Sequence, residues 1–166
     1  MKIKFIYVIS LVLIFAISFG QTGVKKDSTK IKSIEIMSYF FNHAPRFDIE
    51  LPTILNLRNI DKENKKGFYT KLNESESLKL YEKIKPLLTK DTIAGVLENN
   101  MDLRFLMVLN FEDNPSPVYI GFERSERMFI NKRRYNPDKM FLMYSLDYIT
   151  NKGIKKNIKK TIKNWK

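Results

Sequence analysis

The chain has 166 residues, a formal charge of +12, no cysteine and a single histidine, His43. Disulfides, thiolate metal sites and cysteine nucleophiles are therefore excluded, and so is any multi-histidine metal centre. The charge is also uneven: +2 before residue 21, +3 over residues 21–151 and +7 over residues 152–166, so the basicity belongs to one tail.

Lys2 and Lys4 precede an apolar run from Phe5 to Phe19, followed by Gly20 and Gln21. A basic start, an apolar centre and small residues at a cut site form the layout of a secretory signal peptide. A bilayer span needs about 20 apolar residues, more than this run supplies. The expectation is an exported protein, periplasmic or secreted, cleaved after Gly20. Residues 1–20 are then the signal peptide, 21–32 a polar disordered leader, 33–151 one domain and 152–166 a basic amphipathic segment. With no cysteine at the cut site, a lipid anchor is excluded.

Ser33–Phe41 alternates as a strand, with Ile34, Ile36 and Ser38 on one face and Glu35, Met37 and Tyr39 on the other. Phe47–Leu51 also alternates, which suggests a hairpin through His43–Arg46. Thr53–Leu57 reads as a short strand, Asp61–Gly67 as a solvated loop and Gly67–Thr70 as another strand. Asn73 followed by Glu76 predicts a capping box ahead of a helix carrying Leu80, Tyr81, Ile84, Leu87 and Leu88, ended or kinked by Pro86. Leu103–Phe111 is the strongest strand, apolar enough on both faces to be central. Val118–Phe122 returns as its partner, and Arg127–Asn131 with Lys132–Tyr135 forms a tight basic hairpin. Asn136 as cap and Pro137 at the first helical position predict a second helix, which Gly153 is placed to close with a left-handed cap. Hairpins rather than βαβ alternation imply an α+β fold. Its expected form is a mainly antiparallel sheet of about five or six strands, with two helices on one face and a basic C-terminal helix or tail.

The tail places Ile154, Ile158, Ile162 and Trp165 on one helical stripe and lysines over the rest. Besides fraying as a disordered cationic tail or meeting nucleic acid through its phosphates, two readings stay open. The stripe docks on the body with its lysines in water, or the segment lies on an anionic membrane surface. The candidate anion-binding residues are Lys155, Lys156, Lys159, Lys160, Lys163 and Trp165, with Arg133 and Arg134 from the basic hairpin. Lys, Ile and Asn are all abundant, as AT-rich codons would make them, so the lysine count alone says little about function.

No nucleophile elbow, phosphate-binding glycine loop or calcium loop is present, and no cofactor or metal is expected. His43 reads as a surface turn residue. The carboxylates Asp48, Glu50, Glu112 and Glu123 are the remaining material for chemistry. The reading is thus an exported, non-catalytic binding module of the cell envelope whose partner is an envelope protein or anionic lipid. Peripheral attachment to anionic membrane or lipopolysaccharide through the tail is one alternative. A carboxylate-dependent hydrolase is the other; nucleic acid is the least suitable partner for an exported chain.

Overall fold

The computed structural model describes residues 30–41, 49–59, 67–89, 92–96, 101–125, 127–131 and 133–165. The expected signal peptide, His43, Asp48 and the Asp61 loop lie outside these residues. In chain order the elements are β1 (Ile31–Tyr39), α1 (Leu51–Leu55), a 3-10 turn (Asn56–Asn59), β2 (Gly67–Lys71) and α2 (Glu74–Ile84). A second 3-10 turn (Lys85–Thr89) follows, then β3 (Thr92–Val96), β4 (Leu103–Phe111), β5 (Val118–Glu123), β6 (Met128–Ile130) and β7 (Arg133–Tyr135). The chain closes with α3 (Lys139–Ser145), a 3-10 turn (Leu146–Tyr148) and α4 (Lys152–Asn164).

The strands form one sheet in the order β2-β1-β4-β5-β6-β7-β3. Every described pairing is antiparallel. The α+β architecture expected from the sequence is the one observed. The alternation in β4 explains its central place. Phe105, Met107 and Leu109 turn to one face, where Leu80 and Ile84 of α2, Phe141 and Leu142 of α3, and Ile154 and Ile158 of α4 cover them. Leu106 and Val108 turn to the other, where Ile54 and Leu57 pack with Met37 and Phe129. Burying each such side chain stabilises by about 1.5–3 kcal/mol, so the sheet is held from both sides.

Four local expectations change. Of the strand expected over Phe47–Leu51, Phe47 and Asp48 lie outside the described residues, Ile49 and Glu50 are in no strand, and Leu51 opens α1. Thr53–Leu57 lies in a helix and the 3-10 turn after it, not in a strand. Pro52 falls in the first helical turn, where its missing N–H is harmless. Ile54 and Leu57, three residues apart, then share the inward side. Asp138, not Asn136, caps α3, its carboxylate accepting from Met140 N–H at 2.9 Å. Gly153 does not close α3. It sits in the first turn of α4, and no described glycine has positive φ; Leu146–Tyr148 tightens into a 3-10 turn and Asn151 then caps α4. Strand β3, which pairs with β7 at the sheet edge, has no counterpart in the sequence reading.

The Asn73–Glu76 capping box is present with both of its hydrogen bonds. Pro86 ends α2 in a 3-10 turn, as its ring and missing donor require.

Candidate functional site

The terminal helix is built from a simple repeat. Asn151 Oδ1 accepts from Ile154 N–H at 3.0 Å and starts the helix. Ile154 and Ile158 are fully buried, and the Trp165 indole tilts against Phe122 with ring centroids 5.7 Å apart. Asn157 adds a polar tie, its Oδ1 accepting from Phe41 N–H at 2.7 Å. The apolar stripe is therefore docked on the body, with Ile154, Ile158 and Trp165 buried and Ile162 half-buried against the core.

Docking fixes what the helix shows to water. Lys152, Lys156, Lys159, Lys160 and Lys163 are exposed and Lys155 is half-buried. At 3.6 residues per turn and 1.5 Å rise they occupy roughly 140° of the circumference over roughly 16 Å of length. The helix contains no acidic residue. Among the described residues, no carboxylate lies within ion-pair distance of any of these ammonium groups.

This arrangement works against the helix. Lys152 and Lys155 stand at its positive end, where a cation is unfavourable. Lys152/Lys156, Lys155/Lys159, Lys156/Lys160 and Lys159/Lys163 are like-charge pairs four residues apart, each destabilising by about 0.2–0.5 kcal/mol. The buried stripe offsets that repulsion.

Arg133 and Arg134 do not join this face as a pair. Arg133 stands opposite Ile130 and Arg134 opposite Phe129. Ile130 belongs to the core under α2–α4 and Phe129 to the core on the other side. Neighbouring strand residues point to opposite faces, so at most one of these arginines shares a side with α4.

The carboxylates are dispersed. Glu123 stands opposite Leu103 while Glu112 lies just beyond the other end of β4, so the hairpin separates rather than joins them. Glu123 is buried and accepts from Ser125 and Arg127, both at 2.9 Å. Glu112 accepts from Lys30 at 3.0 Å. Glu50 precedes α1 without a side-chain cap bond.

A buried polar cluster went unseen in the sequence. Glu35 Oε2 accepts from Arg58 Nε at 2.6 Å and from Tyr69 Oη at 3.4 Å, and Oε1 accepts from Asn110 Nδ2 at 3.3 Å. A glutamate inside the apolar run Ile34–Met37 was the available signal, but its partners lie 23, 34 and 75 positions away. A second buried tie joins Arg104 to Asp102 at 2.6 Å and to the Phe40 carbonyl at 3.2 Å.

Among the described residues, no three His, Cys, Asp or Glu side chains gather as a metal site, and no helix is long and apolar enough to cross a membrane. No protein-family model matches the chain, and neither the curated proteins nor the solved structures give a significant match.

Proposed function

We propose that this chain is an exported, non-catalytic binding module that adheres to phosphate-bearing anionic surfaces of the cell envelope through the lysine face of α4. The observation that carries the reading is a set of lysines with no carboxylate partner among the described residues, on a helix whose apolar side is already buried. A fixed row of ammonium groups attracts polyanions by long-range electrostatics, and each lysine near an anionic membrane contributes on the order of 1 kcal/mol. The contact is electrostatic and superficial; with Ile154, Ile158 and Trp165 in the core, little apolar area is left to enter lipid.

Export rests on the basic–apolar–small pattern of residues 1–21, and an intact mass beginning at Gln21 in an envelope or medium fraction is the expected result. The surface reading is tested by co-sedimentation with phosphatidylglycerol vesicles. Deleting residues 152–166 would also strip the core of Ile154, Ile158 and Trp165, so the informative variant is K156E/K159E/K160E/K163E. Binding should weaken as salt rises and vanish in that variant. Retention of binding by the folded variant would remove the lysine face from the account.

A further inference from the structure

On the sheet face opposite α2–α4, a cleft of about 460 Å³ opens beside the Glu35 cluster. Ser33, Glu35 and Asn110 form its buried or half-buried floor, and the exposed Lys32, Lys71 and Asp113 stand at its rim. The register explains the grouping: Glu35 stands opposite Lys71 on β2, and Ser33 opposite Asn110 on β4. Side chains directly opposite one another share a face, and adjacent strands are about 5 Å apart, with alternate residues about 7 Å apart along each. Three neighbouring strands thus present a rigid grid of polar groups.

Each floor group keeps unused capacity. Asn110 Nδ2 donates to Ser33 Oγ and to Glu35 Oε1, both at 3.3 Å. Its Oδ1 has no partner among the described residues, and the Ser33 hydroxyl proton is not engaged by any of them. A carboxylate oxygen offers two lone pairs, so Glu35 Oε1 can accept once more. Glu35 is neutralised by Arg58, and Glu112, which also lines the cleft, by Lys30, so the remaining lining charges are Lys32, Lys71 and Asp113 at the rim.

The geometry points to a neutral, polyhydroxylated ligand of the saccharide class, and we propose this cleft as its binding site. A sugar hydroxyl both donates and accepts, which matches alternating acceptors (Glu35 Oε1, Asn110 Oδ1, Asp113) and donors (Ser33, Lys32, Lys71). A phosphate would meet the Glu35 carboxylate on the floor, and a free amine would meet the two rim lysines. The exposed Pro115 ring, which also lines the cleft, offers the apolar contact that the C–H face of a pyranose ring uses. The site shares no residue with the lysine face of α4 and stands independently of it.

Amide chemical shifts of the full mature chain, titrated with glucose, galactose, mannose, N-acetylglucosamine and their disaccharides, test the proposal. At least one sugar should shift the Ser33, Glu35 and Asn110 amides saturably in the millimolar range. N110A should weaken that binding at least tenfold, and S33A should weaken it less, with both variants melting cooperatively. Three results would each overturn the assignment: no saturable shift with any sugar, tighter shifts of the same amides by inorganic phosphate or glycine, or sugar binding unchanged in folded N110A and S33A.

Discussion

Ser77 is fully buried where α2 meets the sheet; its hydroxyl accepts from Ile34 N–H at 3.0 Å and donates to the Leu72 carbonyl at 3.4 Å. Ser77→Ala leaves a buried strand amide without that acceptor, and should cost about 1–3 kcal/mol in urea unfolding. Gly121 is required for a different reason. A Cβ there would lie 1.9 Å from the Phe129 ring, which covers the glycine from the neighbouring strand. Gly121→Ala should destabilise by about 1–3 kcal/mol, and shortening Phe129 to leucine in the same chain should recover part of the loss. Thermal melts of the single and double variants would show it; equal losses in both would mean that the ring is not the obstacle. The tyrosines set an alkaline limit. Burial is the first cause holding Tyr39, Tyr69, Tyr81 and Tyr148 above the usual 10.0, and the Glu35 charge adds to it at Tyr69. The unfolded chain releases these protons first, so their contribution is complete below pH 10 and is lost as pH rises through the raised values. Stability against urea should fall above about pH 10 more steeply in wild type than in a Tyr39→Phe/Tyr69→Phe variant.

At the scale of elements, α4 separates two jobs that the sequence left joined. Its isoleucines pack in the core, and its lysines have no ion-pair partner among the described residues. Replacing Lys152 and Lys155 with glutamate reverses the charge at the helix N-terminus and relieves like-charge contacts, so stability should rise by about 0.3–1 kcal/mol per site. Asn151→Ala should cost about 1 kcal/mol through loss of the cap. What was legible follows from the strength of each pattern. The Asn73–Glu76 cap and the alternation of Leu103–Phe111 are local signals, and both are found as expected. Thr53–Leu57 is too short for its spacing to separate strand from helix, and packing of Ile54 and Leu57 against Met37 and Leu106 decides it. Strand β3 has only five residues, with Gly95 inside, and is held by its pairing with β7. No local pattern announces such an edge strand.

For the molecule as a whole, the sheet is packed on both sides, with α4 over one face and the Glu35 cluster on the other. The lysine row was readable from the tail alone because seven lysines crowd fifteen residues with no acid. Whether its stripe met lipid or protein was not readable, since an amphipathic helix satisfies either; Phe40, Phe122 and the Phe41 amide, distant in sequence, settle it. The Glu35 cluster was illegible for the same reason: β1, β2, β4 and the turn after α1 each contribute one member. The central claim is that the lysine face is kept for a polyanion at the expense of helix stability. Its most direct test measures melting temperature and phosphatidylglycerol-vesicle binding together in K152E/K155E/K156E/K159E. The account predicts an equal or higher melting temperature with binding abolished; a folded variant that binds as wild type does, or a melting temperature lowered by the reversals, would contradict it.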